Sequence, residues 1–320
     1  VDVITLTESE IRSLVDLDEA RQWVQEAFVS FAEGRAVLPL PMEMQLPAVD
    51  GELHVKAAYL EGFPCFAVKA ATGFYRNRDA GLPNLGGLVM AFDASTGFPR
   101  AVLLDNGYLT EVRTAAAGAL AAEVLARPDA AAVAVLGAGG QARYQVEALI
   151  RIRPIRQLRA WSRTAERTEA FAAEMAERFG LEATVCGSAR EAVADADIVV
   201  TVTPARKPIV EADWLRPGVH ITAVGSDFPD KQELAPDVLA RADKYVADSI
   251  DQCIRSGELH HAVAAGVMTA NQVHAELGEV LAGRKPGRDT AGEITVADLT
   301  GLGVQDAAMA NLMVALAGKG

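Results

Sequence analysis

The sequence predicts a doubly wound α/β domain built on a parallel sheet, preceded by a smaller α+β domain, and three observations carry that expectation. From residue 131 onward, short apolar runs alternate with helical periodicity, the pattern of parallel strands covered on both faces. The first of these runs ends in the glycine-rich turn Gly137-Ala138-Gly139-Gly140-Gln141-Ala142, and a helical pattern opens directly behind it. Before that region, strand-like runs are punctuated by Gly, Pro and Asn, which predicts a mostly antiparallel sheet with helices on one side. The length agrees: 320 residues are many for one core.

Taken in order, Thr7-Glu8-Ser9-Glu10 is a capping-box pattern that leads into Ile11, Leu14 and Val15. A second helix follows, with Val24, Ala27, Phe28 and Phe31 on one face and a stop near Gly34. Strands are expected over 53–60, 65–70 and 86–92, then a hairpin turn at Thr96-Gly97 and a strand over 100–104. An alanine-rich helix is expected from Thr114 to Leu125. Beyond it we expect strands at 131–136, 157–161, 183–186, 197–202, 220–225 and 244–247, with helices at 140–150, 165–179 and 188–195. The tail from Thr300 is helical and alanine-rich, and is expected to fold back on the first domain.

Composition narrows the function classes. Half of the residues are hydrophobic and 23% are charged, as in ordinary globular proteins. The net charge of −13, with no basic stripe against it, argues against nucleic acid as a partner. No apolar stretch is long enough for a bilayer, and no basic-then-apolar leader opens the sequence, so no membrane association is expected. Cys65, Cys186 and Cys253 are odd in number and far apart, which reads as reduced thiols in a cytoplasm. No metal site is expected. The cysteines lack metal-ligand spacing, and adjacent His260 and His261 diverge by about 100° on a helix.

The strand 131–136 followed by Gly137-x-Gly139-x-x-Ala142 is the Gly-x-Gly-x-x-Ala form of a dinucleotide fingerprint. Gly137 permits the tight turn, Gly139 admits the pyrophosphate, and the phosphates sit at the positive end of the next helix. At the end of the following strand, about 20 residues on, an NAD site places a carboxylate. This chain has Ser162-Arg163-Thr164 there, which favours the 2′-phosphate of NADP, with NAD the alternative. As helix caps, Ser162 and Thr164 suit either cofactor.

The chain resembles the ornithine cyclodeaminase/mu-crystallin family in several segments along its length. They are Arg113-Thr114-Ala115-Ala116 after Asp105-Asn106-Gly107, the glycine turn, Val224-Gly225-Ser226-Asp227, Glu276-Leu277-Gly278-Glu279-Val280 and Gly303-Val304-Gln305-Asp306. Within the family, residues 54–59, 257–261 and 284–288 look most like the ectoine-utilisation branch. The resemblance implies a substrate-binding and dimerisation domain over residues 1–115, with the helix 304–320 packed back on it. It implies a Rossmann-type domain over 116–303 and a homodimer. It also implies an enzyme that moves hydride between NAD(P) and the C–N bond of a small amino or imino acid. Two alternatives stand beside this: a cyclodeaminase making proline and ammonia from ornithine, and a non-catalytic, dinucleotide-dependent binding protein of mu-crystallin type.

Several residues are singled out. Asp227 ends the strand 220–225, where parallel sheets bind ligands, and matches the family's acid/base; without the resemblance it reads equally as a helix cap before Pro229. Lys69 lies in an otherwise apolar run and is costly unless paired. By resemblance, Lys69 and Arg113 hold the substrate carboxylate. Thr114 lies near cofactor phosphate, along with Gly140 and Gln141 of the turn. Lys231 falls near the nicotinamide ribose, Ser226 is a further cofactor-binding candidate, and Asn84, Thr203 and Gly303 line the nicotinamide. The pattern departs from the family at two positions. Glu43 stands where many relatives have an arginine, and Lys56 where ornithine cyclodeaminases have a glutamate. Both weigh against ornithine itself, and Glu43 points to a substrate bearing a positive group. His54 and Lys56 share a strand face.

Overall fold

The structure, a computed structural model, describes residues 2–318. Val1, Lys319 and Gly320 lie outside the described residues, so the ends of the 1–115 and 304–320 expectations do too. The chain divides into two compact units. One runs up to Arg113 and resumes at Leu302; the other is Thr114–Gly301.

The first unit opens with β1 (Ile4–Thr7), a strand not foreseen, where Ile4 and Leu6 point to one side. It feeds α1 (Glu8–Leu14) through the expected capping box: Glu10 accepts from Thr7 N at 2.8 Å. The second helix, α2 (Leu17–Ala32), is capped by Asp16 and buries Val24, Ala27 and Phe28. After it come β2 (Ala36–Val37), β3 (Met42–Leu46), β4 (Gly51–Leu60), β5 (Cys65–Phe74), β6 (Leu85–Asp93) and β7 (Pro99–Leu104). They form one sheet in the order β1-β7-β6-β5-β4-β2, with β3 also on β4. All pairings are antiparallel except β1 with β7. The β5 strand outruns its expected end because Ala71, Thr72 and Gly73 pair with Gly87, Gly86 and Leu85. Such small residues form a ladder without leaving a hydrophobic pattern. At the hairpin, Asp93 Oδ1 accepts from Ser95 N and Thr96 N, and Gly97 takes φ 75°.

One expectation is corrected here. Helix α3 spans Tyr108–Leu125, so Arg113 sits inside the helix and Thr114 does not begin it. Asp105 accepts from Leu109 N at 2.9 Å, and Asn106 and Gly107 both take positive φ. The Asp-Asn-Gly triplet is therefore the turn that launches the helix.

The second unit contains, in order, β8 (Ala132–Leu136), α4 (Gly140–Ile152), β9 (Gln157–Trp161), α5 (Ala165–Phe179), β10 (Glu182–Val185), α6 (Ala189–Ala194), β11 (Ile198–Thr201) and β12 (Arg206–Val210). It continues with β13 (His220–Ala223), β14 (Gln232–Leu234), α7 (Pro236–Arg241), β15 (Lys244–Ala247), α8 (Ile250–Ser256), α9 (Glu258–Ala264), β16 (Ala275–Glu276), α10 (Leu277–Leu281) and β17 (Thr295–Asp298). Eight strands form an all-parallel sheet in the order β10-β9-β8-β11-β13-β17-β15-β16. Strand residues alternate between two apolar layers: Val133, Val135 and Val200 pack into one, and Ala134, Leu136 and Val199 into the other. The order reverses between β8 and β11, which opens a switch point beside the glycine turn.

After Gly301 the chain rejoins the first unit as α11 (Gly303–Ala317), which is buried from Gly303 to Met313. It packs on α2, β4 and β5. Asn311 bridges the backbone of Cys65: Cys65 N donates to Asn311 Oδ1 at 2.9 Å, and Asn311 Nδ2 donates to Cys65 O at 2.9 Å. Among the described residues no helix is long and apolar enough to cross a membrane.

Asn311→Ala orphans both backbone groups of Cys65, at a cost of about 1–3 kcal/mol each. Thermal melts are expected to show a Tm several degrees lower; a curve superimposable on wild type would contradict the bridge.

Candidate functional site

In the first unit, the site residues lie on one face of β4 and β5 and on the first turns of α11. Lys69 is nearly fully buried and stands directly across from Lys56 in the β4–β5 register. A buried lysine beside a second, partly exposed one needs a counter-charge, and α11 supplies it. Lys69 Nζ is 2.9 Å from each oxygen of Asp306, and Arg113 Nε is 3.3 Å from Asp306 Oδ1. Arg113 Nη1 also donates to Gln305 Oε1 at 2.9 Å. Gln305 Nε2 is buried with no hydrogen-bond partner. That leaves a donor beside the arginine for a ligand to meet.

The charges shape one another. Burial pushes the Lys69 ammonium down to about 8; Asp306 opposes this, while Arg113 and Lys56 reinforce it. Burial also pushes the Asp306 carboxyl up, but Lys69, Arg113 and Lys56 outweigh it and hold Asp306 below the usual carboxylate range. Lys69 and Arg113 thus share the Asp306 carboxylate, and buried Asp105 also feels the charge of Lys69. This is a place for an anion of the size of a carboxylate, which arginine grips through parallel N–H bonds.

The same strand face continues past Lys56 to an acidic end. His54 Nδ1 lies 4.0 Å from Glu43 Oε1, and His54 Nε2 lies 3.8 Å from Glu52 Oε2. Tyr75 donates its hydroxyl to Glu52 at 2.5 Å. Glu43 sits opposite His54 on β3 and is half exposed. Asn84 precedes β6, and its carbonyl accepts from Phe74 N. Gly303 opens α11, where a Cβ would lie 2.8 Å from Ala57 O, so close packing of helix on strand already requires glycine there.

In the second unit the glycine turn joins β8 to α4. Gly137 takes φ 125°, and a Cβ there would come within 2.7 Å of Val202 O. Gly139 is different: a Cβ would meet nothing within 4 Å, so nothing in the chain demands glycine there. A cradle left open in front of a helix N-terminus fits a pyrophosphate. Arg143 braces the turn by donating to Ala138 O and Gly139 O while pairing with Glu174. Gln145, buried in α4, donates to Thr114 O and to Gln141 Oε1. At the end of β9, Ser162 Oγ is tied to Thr168 Oγ1 and to Thr164 N, and Arg163 is exposed. Ser162 therefore caps the turn, and the guanidinium stays available.

Beyond β13, Asp227 forms an ion pair with Lys231 at 2.7 Å, and Ser226 Oγ donates to Lys231 O. Thr203, beyond β11, gives both N–H and hydroxyl to Glu233. His261 Nε2 lies 2.7 Å from Lys231 O, and His260 Nδ1 lies 2.9 Å from Ile254 O. Among the described residues no group of three or more metal-ligating side chains is found. All three cysteines are free and buried.

Sequence reasoning missed Asp306, Gln305, Arg143 and Glu233. The first two carried a signal: polar residues in a largely apolar helix must face partners.

Residues 2–317 match the model of the ornithine cyclodeaminase/mu-crystallin family. A putative dehydrogenase of Rhizobium meliloti is 49% identical over 98% of this chain and 95% of its own. The structure of a Δ1-pyrroline-2-carboxylate reductase of Thermococcus litoralis, in complex with NADH and L-proline, matches with TM-score 0.94 at 32% identity, covering 99% of this chain and 98% of that one. An archaeal alanine dehydrogenase dimer with bound NAD matches with TM-score 0.93 at 38% identity, covering 99% and 96%.

Asp306→Asn removes the one counter-charge of a buried cluster, a change that costs about 3–5 kcal/mol. Folded Lys69 gives up its proton as pH rises through about 8, well below an unfolded lysine. The attraction that Asp306 supplies is thus complete below that pH and fades above it. Urea titrations of variant and wild type are expected to differ most near pH 7, and the gap to narrow at higher pH without closing, because Arg113 keeps its charge beside Asp306. A gap independent of pH would contradict the pairing.

Proposed function

This chain belongs to the ornithine cyclodeaminase/mu-crystallin family, and we propose that it is an NAD(P)-dependent oxidoreductase acting on the C–N bond of a small amino-acid-derived substrate. The reading is of the imine-reductase or amino-acid-dehydrogenase type. The observation that carries it is the pair of buried cations, Lys69 and Arg113, gathered on Asp306 beside the unsatisfied Nε2 of Gln305. A substrate carboxylate meets the guanidinium and that donor. The two structural relatives are named for alanine and for a pyrroline carboxylate, and one holds NADH with L-proline; substrates of that class are the ones proposed here.

The roles follow from the chemistry. When bound, a nicotinamide dinucleotide gives or takes the hydride. Gly137, Gly139, Gly140, Gln141 and Thr114 hold its phosphates, and Asn84, Thr203, Ser226, Lys231 and Gly303 serve its nicotinamide end. Lys69 and Arg113 grip the substrate carboxylate, which orients the neighbouring carbon. Asp227 carries the proton at nitrogen that must accompany hydride transfer. Lys231 pairs with it at 2.7 Å. In this reading the unit completed by α11 binds substrate and dimerises, and Thr114–Gly301 binds the dinucleotide.

Finer parts of the reading have their own support. Exposed Arg163 at the end of β9 favours NADP. The acidic end formed by Glu43, Glu52 and His54 favours a substrate with a basic group beyond its carboxylate. Exposed Met42 and Met44 on β3, with the dimeric alanine dehydrogenase, support a homodimer. Three buried free thiols support a cytoplasmic setting. The resemblance of residues 54–59, 257–261 and 284–288 supports a place in ectoine utilisation.

Mixing the protein with NADPH or NADH and a panel of cyclic imino acids is expected to oxidise the cofactor. Asp227→Asn is expected to lower kcat by about 10²–10⁴-fold while leaving KM for the imino acid nearly unchanged. Unaltered turnover in the variant would remove Asp227 from the mechanism, and no turnover with any substrate by wild type would remove the enzyme reading. Arg163→Ala is expected to weaken NADPH about tenfold, the worth of one charge-assisted contact, and to spare NADH. Equal effects on both cofactors would refute the 2′-phosphate contact.

A further inference from the structure

Glu233 lies on β14 with its side chain fully buried, and both of its oxygens turn toward the carboxyl ends of two neighbouring sheet strands. Oε1 accepts from Thr203 N at 2.6 Å and from Thr203 Oγ1 at 2.7 Å; Oε2 accepts from Gly225 N at 2.8 Å. Thr203 lies just beyond β11, and Gly225 just beyond β13. One carboxylate therefore fastens together the two loops that leave the sheet beside its switch point.

The fit leaves no slack. A Cβ on Gly225 would lie 2.6 Å from Glu233 Oε2 and 2.2 Å from Thr203 O. Gly225 does not have positive φ, so its glycine character comes from this approach alone. Glu233 is itself held by a second buried acid. Glu258, at the start of α9, accepts from Glu233 N at 2.8 Å and from Leu234 N at 3.1 Å. The segment between Gly225 and Glu233 closes on itself through Ser226 Oγ to Lys231 O, at 2.7 Å, and Lys231 Nζ to Asp227 Oδ1, at 2.7 Å. Asp227 thus stands on a short loop pinned at both ends, and Glu233 is the pin that joins it to the loop of Thr203.

The residue type is informative. This carboxylate accepts from the N–H and O–H of Thr203 and the N–H of Gly225. Burying such a charge is expensive, but two N–H groups converging from separate loops need two acceptor oxygens. A glutamine would turn an NH2 group toward one of those donors.

We infer that Glu233 is a positioning residue for the nicotinamide end of the cofactor site, holding the Thr203 and Asp227 loops in the register that receives that ring. The inference rests on the dinucleotide reading above. It goes beyond it by separating this end of the site from the glycine turn, which meets the phosphates.

The test uses binding alone, on the full chain, with NADH and with ADP-ribose, which has the pyrophosphate but no nicotinamide ring. In Glu233→Gln, NADH is expected to bind about 10–100-fold more weakly, as for lost supporting contacts behind a ligand site. ADP-ribose should bind as it does to wild type. Equal weakening of both would mean a merely structural role and would overturn the inference, as would no change in either. If Glu233→Gln does not fold, Glu233→Asp decides by the same comparison: it keeps the carboxylate but shortens its reach to the two loops, and a selective loss of about fivefold is expected. Wild type that binds both probes but turns over no imino acid sinks the oxidoreductase reading while these constants still decide the inference. Wild type that binds neither probe overturns both.

Discussion

A single carboxylate, Asp306, organises the first unit. It stands among Lys69, Arg113 and Lys56, nearly out of reach of water, and its charge is what lets two other buried charges exist there at all. Coulomb attraction in such a place is strong because screening is weak. The same weakness makes the arrangement intolerant, because Lys69 and Arg113 both depend on this one carboxylate. The packing that supports it follows from this demand. Lys69 is presented at mid-strand by β5, Arg113 by the second turn of α3, and Asp306 by the first turn of α11. The close seating of Gly303 on Ala57 O brings α11 near enough.

Much of this was legible in the sequence, residue by residue, and the limits have physical causes. Lys69 announced itself as a charge in an apolar strand, but its partner is 237 residues away and no local pattern names it. The glycine turn and the alternation behind it declared the parallel sheet. Yet β17, which lies between β13 and β15, went unread because its four residues include Thr295 and Asp298, polar groups buried by hydrogen bonds rather than by hydrophobicity. Asp105-Asn106-Gly107 was visible as a motif but not as the turn that starts α3, since its role depends on backbone dihedrals at Asn106 and Gly107. Glu233 gave no signal, because its partners lie on other loops.

Three glycines near the sheet's carboxyl edge show why a glycine motif has to be taken apart before it is interpreted. Gly137 is required by its dihedral angle and by Val202 O. Gly225 is required by the approach of Glu233 and Thr203. Gly139 is required by neither, since a Cβ there would meet nothing within 4 Å. A sequence fingerprint treats such positions alike, although their local packing differs.

The return of the chain to the first unit as α11 has a consequence for synthesis. A ribosome delivers Lys56, Lys69 and Arg113 long before it delivers Asp306, and the sheet that α11 covers waits uncovered through the whole of Thr114–Gly301. Until the last helix emerges, that half of the molecule is a sheet with an apolar face and a knot of like charges, a species that cannot settle. A chain cut before Leu302 therefore lacks both the cover of that sheet face and the carboxylate that Lys69 and Arg113 share.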